Sequence, residues 1–278
     1  MPVHHLADMT WEEVRDARDA AGAAGAASMA GPPSEPGAAS TRGAALGAIA
    51  ILPVGAVEAH GPHLPLGTDV LIAQGMARAC GASLAAAGHT ALILPPVWYS
   101  AAPFAREFAG TIGIAADTLR ATVLQIASSL FGQGVRTLAI ANAHLDPAHV
   151  EALREAEAGP PEGGRIVFLD LTRRRVAERL TEEFRTGACH AGRFEGSVVL
   201  AEAPDLFRSG IAAGLAPNPS SLSEAIRDGK RSFTEAGGDR AYFGWPAEAS
   251  AEEGRATVET LGALLAEAVA PDLAEAAR

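Results

Sequence analysis

Ile49-Ala50-Ile51-Leu52-Pro53-Val54-Gly55-Ala56-Val57-Glu58-Ala59-His60-Gly61-Pro62-His63-Leu64-Pro65-Leu66-Gly67-Thr68-Asp69 runs from an apolar segment, through a loop dense in Glu, His, Pro and Gly, to the start of a helix-like pattern. The apolar segment has no polar alternation, which marks a strand covered on both faces, as in a parallel sheet. Glu58 and His60 alternate at its end, so on extended backbone both side chains leave the same face. Pro62, Pro65 and Gly67 oblige the chain to turn, and Asp69 brings another anionic side chain to a helix start. Glu, His and Asp are an ordinary ligand set for zinc or manganese. A metal loop is therefore the preferred reading over a polar surface loop that happens to hold two histidines.

Outward from this stretch the alternation of strands and helices continues. The pattern predicts a strand over 48–55, a helix over 70–87, a strand over 90–97, and an irregular crossing over 98–116. It then predicts a helix to about 132 capped by Asp117, a strand over 135–141, a helix over 147–158 opened by Pro147, a strand over 165–171 and a helix over 173–184. Upstream, Thr10-Trp11-Glu12-Glu13 has capping-box spacing and predicts a helix from Trp11 to about Ala20. Residues 21–46 are mostly Ala, Gly, Pro and Ser, with too little large apolar surface to offset chain entropy, and read as a flexible insertion. Downstream lie an apolar helix over 197–201, a loop with a short exposed helix over 217–230, and an amphipathic helix over 251–270. The sequence holds no internal repeat and no second domain, so residues 1–278 read as one α/β domain.

Two further clusters carry chemistry. His144 and Asp146 repeat the spacing of Glu58 and His60 just past another strand, at the sheet edge where open α/β folds collect ligands. His190 and Glu195 lie in Gly187-Ala188-Cys189-His190-Ala191-Gly192-Arg193-Phe194-Glu195-Gly196, for which a core histidine with a capping Glu is the plainer account. Only a neighbouring histidine acts to lower the pKa of Cys189, which reads as a lining residue, not a nucleophile. Trp98, Tyr99 and Trp245 are large aromatics in predicted loops, suited to lining a pocket or meeting another subunit.

Composition narrows the partners. The chain of 278 residues is 48% hydrophobic and carries a net charge of −11, enough apolar content for a substantial core and the wrong sign for nucleic acid or an anionic membrane surface. No segment approaches the ~20 apolar residues of a membrane span. Two cysteines, Cys80 and Cys189, make no disulfide framework, and a cytoplasmic location is expected.

These residues resemble the creatininase family of metal-dependent amidohydrolases over about residues 48–270. Leu52 through Asp69 is similar to the family signature along its whole length. Phe108-Ala109-Gly110-Thr111, the segment His190 to Glu195, and Phe243-Gly244 with Gly254-Arg255 add support. The resemblance implies a three-layer α/β/α sandwich with a mostly parallel sheet, and two divalent ions, Zn2+ or Mn2+ with Fe2+ also admissible. It implies that Glu58, Asp69 and His144 hold one ion and His60, Asp69 and Asp146 the other. His190 falls at the proton-transferring position, and Glu195 would either orient its imidazole or reach the second ion. His63, Cys189, Trp98 and Tyr99 are then expected to line the substrate pocket. The implied activity is hydrolysis of an amide or cyclic amide C–N bond, in a small molecule or peptide-derived substrate, by a hexamer or smaller ring. A ring-opening hydrolase, a peptidase of a biosynthetic pathway and a non-catalytic metal-stabilised binding protein are the rival expectations. Asp146, shorter than the family's Glu, and Cys189, where creatininase has Glu, are departures, as are Ala101 or Ala102 for an expected His and Gly196 for the usual Thr.

Overall fold

β2 (Ile49–Val54) and β4 (Thr137–Asn142) are buried along their whole length and pair in parallel from Ile49 opposite Thr137 to Val54 opposite Asn142. With β1 (Val3–His5), β3 (Ala91–Ile93) and β5 (Arg165–Phe168) they make a five-stranded parallel sheet in the order β1-β3-β2-β4-β5. The computed structural model describes residues 3–29 and 47–271. Its helices are α1 (Trp11–Met29), α2 (Thr68–Ala86), α3 (Ala116–Gly132), α4 (Pro147–Ala158), α5 (Arg174–Ala177), α6 (Glu182–Thr186), α7 (Arg193–Glu202), α8 (Ser209–Ala212), α9 (Leu222–Arg227) and α10 (Ala251–Val269).

The two-residue period of the strands divides their side chains between two cores. Ile49, Ile51, Ala139 and Ala141 pack with Ile72, Met76, Leu261 and Leu265 of α2 and α10. Ala50, Leu52, Val54, Leu138 and Ile140 pack on the opposite face with Leu119, Val123, Val150 and Leu153 of α3 and α4. This makes the α/β/α sandwich, and burial of each such large side chain stabilises it by about 1.5–3 kcal/mol. Gly254 and Gly262 let α10 lie close, since a Cβ there would run into the Ser197 carbonyl or Ala79. Pro53 sits in a central strand without cost to the ladder. Pairing of β2 with β3 ends at Ile51 opposite Ile93, so no partner there requires the missing N–H.

Several expected boundaries move. Thr10 and Glu13 do form the capping box, with the Thr10 amide donating to Glu13 at 2.7 Å, but α1 continues past Ala20 to Met29. Alanine is the best helix former, and its density over 20–28 carries the helix into the segment read as irregular; residues 30–46 lie outside the described residues. β1 went unpredicted because three residues, two of them histidine, show no periodicity; a short polar strand suits a sheet edge. β3 stops at Ile93, ahead of Pro95 and Pro96, which lack amide donors. Asp117 lies inside the first turn of α3, whose cap is Ala115. The helix expected over 173–184 is broken into α5 and α6 because Thr181 caps a new start, accepting from the Phe184 amide.

Candidate metal centre

The loops after β2 and β4, the first turn of α2 and the segment ahead of α7 meet at the C-terminal edge of the sheet. Glu58 is fixed by its amide donating to the Leu66 carbonyl at 3.0 Å, and the Ala59 amide donates to Thr111 Oγ1 at 3.1 Å. Asp69 lies in the first turn of the 19-residue α2, where the helix dipole favours a carboxylate. Glu58, His60, Asp69, His144, His190 and Glu195 are all buried here.

Three imidazoles share one design. His60 Nδ1 donates to the Glu58 carbonyl at 3.1 Å, His144 Nε2 to the Ala101 carbonyl at 2.9 Å, and His190 Nε2 to the Ala59 carbonyl at 3.1 Å. A carbonyl only accepts, so each bonded nitrogen carries a proton and the other nitrogen faces the cluster, where a bound cation would take the place of any proton on it. His144 Nδ1 lies 3.1 Å from Glu58 Oε1 and 3.0 Å from Asp69 Oδ2. His60 Nε2 lies 3.2 Å from Asp69 Oδ1 and 3.4 Å from Glu195 Oε2. His190 Nδ1 stands further off, 4.0 Å from Glu58 Oε1.

Among the described residues, Glu58, Asp69 and His144 converge as one group that could hold a cation, and His60, Asp69 and Glu195 as another. Glu58, His60 and His190 form a third combination. Glu58 Oε2, His60 Nε2 and Asp69 Oδ2 are buried without a hydrogen-bond partner. Orphaned buried acceptors of this kind are costly unless a cation satisfies them. Electrostatics agrees. Burial opposes a charged His60, yet Asp69 and Glu195 outweigh it and hold the imidazole up at about 10. Burial likewise opposes a charged His144, and Glu58 and Asp69 override it. Burial pushes Glu195 up to about 8 and raises Glu58. The cluster thus holds more negative charge than its own side chains comfortably neutralise. An oxygen and imidazole donor set of this composition fits divalent zinc or manganese.

Asp146 does not join either group. Its Oδ1 accepts from the Ala148 amide at 2.9 Å and its Oδ2 from the Phe104 amide at 3.1 Å, so it caps α4 and ties down the 98–116 crossing. The second group takes Glu195 instead, and Glu195 belongs to the first turn of α7, not to a loop. His63 is fully buried, in T-shaped contact with Phe207 and Tyr242. Trp98 and Tyr99 lie in the crossing at 45% and 50% exposure, and the Trp98 ring covers Gly67. Cys189 is half-buried, and burial with the carboxylates of Glu195 and Glu183 nearby pushes its thiol well up, as befits an inert neighbour.

Sequence reasoning missed a buried chain behind His144. Ser100 Oγ bonds His149 Nδ1, His149 Nε2 donates to Asn142 Oδ1 at 2.7 Å, and Asn142 Nδ2 donates to the His144 carbonyl at 2.7 Å. The available signal was Asn142 two residues before His144, the spacing at which an Asn side chain bonds its own backbone. His149, in the first turn of α4, gave none.

A layered α/β sandwich with buried carboxylates and imidazoles gathered at one sheet edge makes a site that could hold divalent cations. A family model, Creatininase: Creatinine amidohydrolase, matches residues 38–269. The chain is 32% identical over 210 residues to the mycofactocin precursor peptide peptidase of Mycobacterium ulcerans, covering 74% of this chain and 78% of that one. It is 30% identical over 175 residues to the creatinine amidohydrolase of Pseudomonas putida, covering 57% and 65%. A solved structure described as "Creatininase Mn" superposes with a TM-score of 0.64 over 98% of this chain and 99% of that one, at 22% identity, which speaks for the fold. The chain belongs to the creatininase family and is a hydrolase of amide bonds.

Proposed function

We propose that the chain is a binuclear amidohydrolase that cuts a C–N bond in a peptide-derived substrate. One ion would be held by Glu58, Asp69 and His144 and the other by His60, Asp69 and Glu195. The observation that carries this reading is the set of backbone-anchored imidazoles with free nitrogens aimed among buried carboxylates. A pair of cations there supplies, when bound, polarisation of the scissile carbonyl and acidification of a water. His190 then acts at Nδ1: it accepts the proton of the attacking water as the C–O bond forms and returns it to the leaving nitrogen as the C–N bond breaks. Burial and the nearby His60 keep His190 below its ordinary pKa, which leaves Nδ1 free to accept. Phe233, with ring centroids 4.2 Å apart, keeps the imidazole in place.

A peptide-derived substrate is favoured because the match to the peptidase spans more of both chains than the match to the creatinine amidohydrolase. The test is a panel of peptide amides and cyclic ureides given to protein reloaded with Mn2+ or Zn2+. Cation-dependent release of an amine from peptides supports the reading, and cleavage of cyclic ureides alone turns it to the small-molecule alternative.

Two supporting expectations follow from the geometry. Asn142→Ala should weaken the ion at Glu58, Asp69 and His144 about 10- to 100-fold, the usual cost of losing an outer partner of a ligand. Chelator competition measures it, and unchanged affinity would remove the buried chain from the account. The protein is also proposed to be a single domain that works as a cytoplasmic homo-oligomer. Among the described residues no helix is long and apolar enough to cross a membrane. Leu66, Trp98, Tyr99 and Ile112 are apolar, and between 39% and 51% exposed, a patch suited to another subunit. Light scattering should report an assembly; a monomer at micromolar concentration contradicts it.

A further inference from the structure

Glu183 of α6 is a buried carboxylate that the chemistry above does not use, at 1% exposure. Its Oε1 accepts from the Arg193 amide at 2.8 Å and the Trp245 amide at 2.8 Å. Its Oε2 accepts from the Phe194 amide at 2.5 Å. Arg193 and Phe194 open α7, so one carboxylate from another helix satisfies two of the amides that a helix start leaves unpaired. The backbone is shaped to admit it, since a Cβ at Gly192 or Gly244 would land on Glu183 Oε1. What α7 then presents is specific. Glu195, in its first turn, points to His60 and accepts from the Ala191 amide at 2.7 Å. His190 is tied to the same strap, its carbonyl accepting from the Phe243 amide at 2.8 Å. Ala191 between them has a left-handed φ of 49°, a conformation a non-glycine residue keeps only where its surroundings enforce it.

We propose that Glu183 is a positioning residue for the second cation: by holding the start of α7 and the Trp245 strand of chain together, it sets Glu195 against His60 and Asp69. The inference rests on the binuclear reading above. The carboxylate is needed as such. An amide in its place keeps one acceptor oxygen and turns a donating nitrogen toward backbone N–H groups, so at least one of the bonds is lost and α7 is free to shift.

The test is calorimetric titration of metal-free protein with Mn2+, with the ion present at one equivalent located by anomalous scattering. Glu183→Gln should weaken the ion at His60, Asp69 and Glu195 about 10- to 100-fold and leave the ion at Glu58, Asp69 and His144 within about twofold. Glu183→Asp, which keeps the charge, should lie between, and it carries the test if the Gln variant does not fold. Leu153→Ala, a fully buried residue in the core across the sheet, is the control for plain destabilisation and should move neither ion. Equal weakening of both ions, or of neither, overturns the proposal while the binuclear reading stands. A wild-type chain that takes up a single ion overturns both.

Discussion

Asp69→Ala is expected to strip both cations from the protein and abolish hydrolysis with them. The two ligand groups share one residue. Asp69 Oδ1 faces His60 Nε2 at 3.2 Å while Oδ2 faces His144 Nδ1 at 3.0 Å, so a single carboxylate addresses both sides of the centre. Without it, Glu58 and His144 on one side, and His60 and Glu195 on the other, are left as pairs, below the three protein ligands that catalytic sites ordinarily supply. The same carboxylate offsets the positive charge of the two imidazoles, which is why its own pKa is pulled well down by His60 and His144 against the effect of burial. Its loss removes the carboxylate that both imidazoles approach. Elemental analysis of the purified variant should find neither ion, and the rate should fall by more than the ~10²- to 10³-fold typical of removing one electrostatic donor at a reacting oxygen. A variant that retains two ions refutes the bridge.

His190→Ala is expected to lose about 10²- to 10⁴-fold in rate, the worth of positioned proton transfer, with metal content unchanged. His190 Nδ1 is 4.0 Å from its nearest carboxylate oxygen, whereas the nitrogens of His60 and His144 approach theirs at 3.0 to 3.4 Å. It stands at the edge of the cluster, anchored through Nε2 and stacked near Phe233. That geometry suits a proton carrier, which must face both water and the leaving nitrogen. The structure also groups His190 with Glu58 and His60 as a possible ligand trio, and the variant separates the two roles. Loss of an ion on substitution would put His190 among the ligands and leave the proton to another residue.

The sheet and the crowding of Glu58, His60 and Asp69 are legible in sequence because both express local patterns. The unbroken apolar run at 49–57 states burial on two faces, and Glu58, His60 and Asp69 are placed by their own loop. Pro147 opens α4 at the expected residue. Asp146 lies outside the groups that could hold a cation, for a physical reason. Its spacing from His144 matches that of a ligand pair, but the same spacing places it at a helix start, where backbone amides claim both its oxygens. Glu195 was left open because its neighbour His60 is remote in sequence, and no periodicity reports which loops meet at a sheet edge. The surroundings of His63 are a similar case, since nothing in the motif tells that Phe207 and Tyr242 pack against it. Glu183 and His149 carried no local signal at all, as each acts only through partners supplied by the folded chain.

The central claim is the pair of ions sharing Asp69, and anomalous diffraction from Mn2+-loaded crystals measures it directly. Two peaks are predicted, roughly 3.5–4 Å apart as in other two-metal sites, one within bonding distance of Glu58, Asp69 and His144 and the other of His60, Asp69 and Glu195. A lone peak, or a second one beside Asp146 with Glu195 turned away, would contradict the account.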